Sequence, residues 1–491
     1  MSFANHTLIL KNDDTLWACG ENWGQLGLEN AGSKTTFTQV TTNTDNIKSV
    51  YGFFDHTFIL KNDGTLWGCG WSVGTLGLGA GSGKKTIFTQ ITTNADNIKS
   101  VYCGYGHTII LKNDGTLWGC GENGNGQIGL GNTTARNIFT QITTNTNDIK
   151  SVYCGHNHTL ILKNDDTLWG CGNNSYGQLG IESAGNKTTF TIIDTNPGNI
   201  KSICCGSNCT LMLQNNGILW GCGSNSNGQL GLGDKTNVIT FTKITNNIKS
   251  VYCGYQHTII LKNDGTLWGC GKNESGQLGL GDTTDRKTFT QLTTNANNIK
   301  SVYCGYQHTI ILKNDGTLWG CGHNTEGQLG LGDTTNRTTL TRITTNVDNI
   351  KSFANYYPDL PSVIKIYDTQ VGYAETLDAN NFRNISVNNF EKIKVLYTKP
   401  LNTYANCLIS FDKKQTWKTF NGTTWTTISD ISPSNIILNC MDIETLNTLT
   451  KQNLVQAGFT GNLDFKVAIK TNNEKVTPSI TKIYMIYKNS F

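Results

Sequence analysis

Cysteine is the first residue type abundant enough to suggest chemistry. The 491-residue chain has 16 cysteines, and 14 of them lie before residue 357. There they recur in pairs about 17 residues apart, as in Cys103 and Cys120, Cys253 and Cys270, and Cys304 and Cys321. Zinc sites use C-x-x-C or comparable clusters with His, and these spacings do not match. Each cysteine instead sits beside glycine in a repeated phrase, which reads as a small buried thiol. Cys204, Cys205 and Cys209 form the one local cluster, where a metal or a disulfide is the alternative. Histidine repeats in the same way, at His6, His56, His107, His158, His257 and His308, with Cys209 in the remaining copy. A residue present in nearly every module reads as structural, held by a backbone hydrogen bond. "GAGSGKKT" (79–86) resembles a phosphate-binding loop but fails the G-x-x-x-x-G-K-[ST] spacing and has no helix after it. No Ser–His–Asp set or carboxylate pair can be read from spacing. The expectation is therefore a non-enzyme with no catalytic residue, no metal ligand and no cofactor.

The repeat explains these residues better than any reaction does. The "HT…LKNDGTLW" phrase starts at 6, 56, 107, 158, 209, 257 and 308, and one Trp follows in each copy, from Trp17 to Trp319. A period near 50 residues marks stacked or radial modules. Each copy reads as four short strands: "IKSVYCG" (A), "HTIILKN" (B), "TLWGCG" (C) and "FTQIT" (D). "NDG" between B and C is a tight-hairpin signal. Four antiparallel strands per copy make a propeller blade. The fold class is all-β: a seven-bladed propeller over 1–357, then a β-sandwich with one short helix over 358–491. "SFAN" occurs at residues 2–5 and again at 352–355. The late strand A therefore completes the first blade and closes the ring, which leaves no long open edge.

Strand alternation puts the A–B and C–D connections on one face and the B–C and D–A connections on the other. The second face is nearly invariant between copies. The first face varies, and its aromatics offer area at low entropic cost. The candidate binding residues there are Trp23, Phe54, Trp71, Tyr105, His156, Tyr176, Tyr255, Tyr306 and His323.

The pattern C-G-x-x-H-T…L…D-G…G-x-N…G-Q-L-G-L-G resembles the repeat of the regulator of chromosome condensation family, over residues 1–355. That resemblance implies the seven-bladed propeller. It leaves function open, since the family hosts guanine nucleotide exchange factors, a plant ultraviolet photoreceptor, β-lactamase inhibitors and binding scaffolds. The photoreceptor phrase "GWRHT" is "GYQHT" here, which argues against that role. The exchange factors work through an inserted wedge and acidic contacts around the face. No copy here carries an insertion larger than a few residues, and no acidic belt is visible in the sequence.

At Pro358 the repeat stops. "SVIKIYDT", "KIKVLYT", "NCLISFD", "LDFKVAIKT" and "TKIYMIYK" read as strands. Residues 442–457 have helical spacing at Ile443, Leu446, Leu449 and Leu454. "SFDKKQTWKT" and the final "FKVAIKT…TPSITKIYMIY" pair resemble β-sandwich modules of bacteriophage tail proteins. Tyr404, Trp417 and Trp425 are candidates for stacking on sugars.

Two functional readings follow. The first is a virion protein of a phage-like tail, made in the bacterial cytoplasm without a signal peptide. It would contact a bacterial surface glycan or protein receptor, sit among other tail or baseplate proteins and be open to homo-oligomerisation. The second is a cytoplasmic propeller scaffold for a protein partner, a GTPase included. Residues 1–357 hold 25 basic and 24 acidic side chains, and 358–491 hold 14 and 11, so no nucleic-acid partner is expected. No apolar run of about 18 residues exists, so no membrane insertion is expected.

Overall fold

The computed structural model describes residues 5–353 except positions 31, 72–73, 82, 184 and 195–197, together with the backbone of short strands beyond 353. The chain divides into two compact units, Met1–Leu360 and Pro361–Phe491.

The first unit is seven four-stranded antiparallel sheets, each ordered A-B-C-D. In blade 3 these strands are Ile98–Cys103, His107–Lys112, Leu117–Gly121 and Arg136–Ile142. The inner A strands of successive blades approach one another around the axis. Strand B is buried along its whole length, because neighbouring blades cover both of its faces. Strand D buries Phe139 toward blade 2 and Ile142 toward blade 4, on its opposite faces, with Gln141 exposed between them. The ring closes as the shared "SFAN" phrase implies. Ile350–Phe353 pairs antiparallel with His6–Lys11, with Ile9 opposite Phe353 and Leu10 opposite Ser352.

The B–C hairpin explains the invariant face. Asp114 Oδ1 accepts from the Thr116 amide at 2.9 Å and from its hydroxyl at 2.7 Å, while that hydroxyl accepts from Trp118 Nε1 at 2.9 Å. Lys112 Nζ lies 4.5 Å over the Trp118 ring and bonds Asp96 at 2.7 Å. Its stem is buried and its charge is paired at the rim.

A polar belt joins the blades. At all seven junctions the threonine after the histidine position donates its hydroxyl, at 2.7–2.8 Å, to a carbonyl of the preceding blade. The C-strand cysteine of the same blade donates to that same carbonyl at 3.3–3.6 Å. At four junctions the histidine of the preceding blade also reaches that threonine: His107–Thr159, His158–Thr210, His257–Thr309 and His308–Thr7, at 2.9–3.2 Å. This corrects the expected backbone bond. The repeated histidine at these junctions binds a side chain of the next blade, so it holds the ring together and not its own sheet. The described cysteines are free thiols, and all but the half-buried Cys304 are buried. Residues 83–84 run as loop into strand Lys85–Ile91.

The second unit contains a sheet in which Ile385–Ser386, Asn462–Thr471, Thr403–Ser410, Trp417–Phe420 and Trp425–Ile428 pair in that order. Met441–Asp442 pairs with Thr403–Ser410, and Lys392–Thr398 pairs separately with Ser479–Ile486. Asp442, read from sequence as a helix start, ends a short strand. The rest of that expected helix, 443–457, lies outside the described residues. Tyr404, Trp417 and Trp425 are strand positions whose side chains also lie outside them. Among the described residues no helix is long and apolar enough to cross a membrane.

Candidate functional site: the variable-loop face

The A–B tips and C–D loops form one face, built in concentric rings. The innermost ring is the first tip residue of blades 2–7. Tyr105 N donates to His156 O, His156 N to Ser207 O and Ser207 N to Tyr255 O, at 3.1–3.3 Å. Side chains pack along the same circle. Phe54 meets Tyr105 edge-on at 4.0 Å between centroids, Tyr105 stacks on His156 at 3.9 Å, and Tyr255 tilts against Tyr306 at 4.2 Å. Phe54 also approaches Tyr306 at 5.9 Å. These rings plug the axis. Phe54 is only 2% exposed and sits at φ 56, a left-handed conformation unusual for a bulky side chain. Its expected place on the surface is therefore corrected: it packs inward against its neighbours. Tyr105, His156, Tyr255 and Tyr306 are half-buried. Burial lowers His156 to about 4, so the ring keeps a neutral imidazole at neutral pH.

The second ring is the second tip residue, and the third ring begins each C–D loop. They are tied in every blade. The loop amide of Glu21, Trp71, Glu122, Asn173, Ser224, Lys272 or His323 donates to the carbonyl of Asn5, Asp55, Gly106, Asn157, Asn208, Gln256 or Gln307 respectively, at 2.6–2.9 Å. Deeper in the loop, Asn123 Oδ1 accepts from Ile128 N, and Gln127 Oε1 accepts from Asn125 N, both at 2.9 Å. The same Asn and Gln bonds recur in other blades. Buried amides thus fix the loop backbone and leave the side chain above Gln free to vary.

Exposed aromatic side chains stand on three of these loops. Trp23 and Trp71 are each 49% exposed and Tyr176 is 43% exposed. Trp23 Nε1 donates to Glu21 Oε1 at 2.6 Å, and Lys84 Nζ lies 5.5 Å over its ring. His323 is held by Thr325 at 2.9 Å and Gln328 at 2.8 Å, which makes it a loop brace.

The sequence reading missed a group of carboxylates on blades 1–3. Glu21 is buried, and Asp55 beside it is raised to about 7 by burial and by the Glu21 charge. Glu122 folds inward over Gly106: a Cβ there would lie 2.5 Å from its carboxyl carbon. Asp55 and Glu122 both act electrostatically on Tyr105. The equivalent positions in blades 4–7 are Asn157, Asn173, Asn208, Ser224, Gln256, Lys272, Gln307 and His323. The signal in the sequence was Gly106, the one glycine in the second tip ring. Among the described residues no group of three or more His, Cys, Asp or Glu side chains is placed to hold a metal.

Known proteins share this architecture. The chain is 33% identical over 171 residues to the X-linked retinitis pigmentosa GTPase regulator of Canis lupus familiaris, a match covering 32% of this chain and 17% of that relative. It is 30% identical over 310 residues to the ultraviolet-B receptor UVR8 of Arabidopsis thaliana, covering 60% and 66% respectively. The chain thus spans a small part of the first relative and about two thirds of the second. Among solved structures, Prp20p from Saccharomyces cerevisiae superposes with a TM-score of 0.61 at 18% identity, over 70% of this chain and 87% of that one. Human WBSCR16 superposes at 0.59 with 20% identity, over 70% and 94%. The family model for the RCC1-like domain matches residues 2–247 and 83–356. With seven four-stranded blades and more than half the chain matched, this protein belongs to the RCC1-like domain family.

Proposed function

We propose that the chain is a non-enzymatic propeller scaffold that binds a protein partner through its variable-loop face. The observation that carries this reading is the sector on blades 1 and 2. There two tryptophans, each half exposed, flank the Glu21–Asp55 carboxylates: Trp23 stands on a loop braced by the Asn22 and Gln25 side chains, and the Trp71 backbone is tied to the Asp55 carbonyl and the Thr75 hydroxyl. Rigid aromatic anchors beside partly desolvated charge are the composition of a protein-binding hot spot. The sector suits a partner presenting basic and apolar side chains together. Relatives support a protein partner: one is a GTPase regulator, another a secretion-regulating guanine nucleotide exchange factor of Bos taurus, and Prp20p is known for binding Gsp1p and histones. A GTPase is the first partner class to test. The tail-particle reading rests on the second unit, whose side chains lie outside the described residues, and the relatives of the propeller do not support it.

The full chain and a Trp23→Ala/Trp71→Ala variant, each immobilised, would be compared for proteins retained from the source cell, with Tyr176→Ala as control. A partner held by the wild type and the control and lost by at least tenfold in the double variant is expected. Retention indifferent to both tryptophans would overturn the reading.

A further inference from the structure

Two of the fifth copy's departures from its neighbours put thiols at one junction. Elsewhere an A-strand tyrosine packs with the A-strand cysteine of the next blade. Tyr51 shares a core cluster with Cys103, Tyr102 with Cys154, Tyr153 with Cys205 and Tyr252 with Cys304. In copy five, "KSICCG" puts Cys204 at the tyrosine position. The register of the ring therefore turns a thiol toward Cys253 of blade 6. Cys204, Cys209 and Cys253 lie in one buried cluster, and the Cys204 side chain adds to the burial that raises the Cys253 thiol. Their strands, Ile200–Cys205 and Ile248–Cys253, are the adjacent inner strands of blades 5 and 6. Cys209 replaces the histidine that would donate to Thr258, so this junction lacks the imidazole of the belt.

We propose that Cys204 and Cys253 form an oxidative modification site, which a peroxide converts to a disulfide stapling blade 5 to blade 6. One thiol loses its proton and attacks a peroxide oxygen. The O–O bond breaks, giving a sulfenic acid and one water. The second thiol then attacks the sulfenic sulfur, the S–S bond forms and a second water leaves. Two thiols are oxidised by two electrons, and one hydrogen peroxide is reduced to two waters. Cys204 is 2% exposed and Cys253 is 5% exposed, so the pair is reached by a small oxidant and not by a protein thiol. Burial holds the Cys253 thiol well above its ordinary range, so its thiolate is scarce at neutral pH.

The full chain would be treated with hydrogen peroxide at pH 8, alkylated, digested with trypsin without reduction and analysed by mass spectrometry. The peptide carrying Cys253, "SVYCGYQHTIILK", is identical to the one carrying Cys304, so variants must separate them. A crosslink between this peptide and the one that begins at Ser202 is expected in the wild type, in Cys304→Ser and in Cys209→Ser. It should vanish in Cys204→Ser and in Cys253→Ser. Oxidation should also raise the thermal midpoint of the wild type and leave that of Cys204→Ser unchanged. No crosslink in the wild type, or one that survives Cys253→Ser or Cys204→Ser, overturns the assignment.

Discussion

Thr159 decides the tautomer of His107. Its single hydroxyl proton is committed to the Gln127 carbonyl at 2.7 Å, so it can only accept from His107 Nε2 at 2.9 Å. His107 therefore carries its proton on Nε2, and Nδ1 is bare and buried with no partner. Burial lowers His107, His158 and His257 to about 3 and His6 to about 4, against an ordinary value of 6.5. His56 falls to about 3 as well, and burial holds His308 well below its ordinary range. The unfolded chain then binds more protons than the folded one below pH 6.5. The stability these groups contribute is complete above that pH and is lost as pH falls toward 3. The denaturation midpoint should drop steeply between pH 6.5 and 4, and a flat profile there would contradict neutral buried imidazoles. Thr159→Val removes both bonds at one junction and should cost about 1–3 kcal/mol in a urea titration. Asp55 has the opposite sign. Its folded value near 7 exceeds the ordinary 3.8, so the folded chain retains a proton that the unfolded chain loses, and stability falls as pH rises between these values. Asp55→Asn should stabilise the chain at pH 8 and change little at pH 4, measured by thermal melts at each pH.

The strand and loop elements show why the repeat tolerates so little change at its turns. Gly121 has φ 98, and a Cβ there would lie 2.2 Å from the Gly106 carbonyl oxygen. Gly121→Ala should therefore destabilise by about 2 kcal/mol or more, from conformational strain and the backbone clash together. Cys209→His tests the belt by addition. Gly206, Gly254 and Gly305 occupy the same register, and at the latter two an imidazole lies directly over the glycine. The Cys209 thiol lies over Gly206 in the same way, so an imidazole there should reach Thr258 and raise stability by about 0.5–1.5 kcal/mol in urea unfolding. The strands themselves were legible, because the apolar runs and turn signals recur on one period. The partner of each histidine was not read, although its offset of 52 residues, one period plus one, is written in the sequence. The radial position of the tips was not read either. Phe54 and Trp23 look alike as loop aromatics, but one follows the innermost strand and the other follows strand C, and only the geometry of the ring turns that difference into burial or exposure.

At the scale of the molecule, closure is the feature most plainly written in the chain. The phrase shared by its start and by the end of the last copy becomes a strand pair between Ile350–Phe353 and His6–Lys11. The site was legible only in part. The variable face was readable by comparing copies, and Trp23, Trp71 and Tyr176 are exposed on it. The convergence of Glu21, Asp55 and Glu122 was not, because those positions meet only when three blades stand side by side. The central claim is that the partner docks on this face and not on the invariant one. The most direct test places a photoreactive side chain at Trp71 in one full-length variant and at Asp165, in a B–C hairpin of the opposite face, in another. Partner crosslinked through position 71 and not through 165 is the predicted result. Crosslinking through 165 alone would contradict the account.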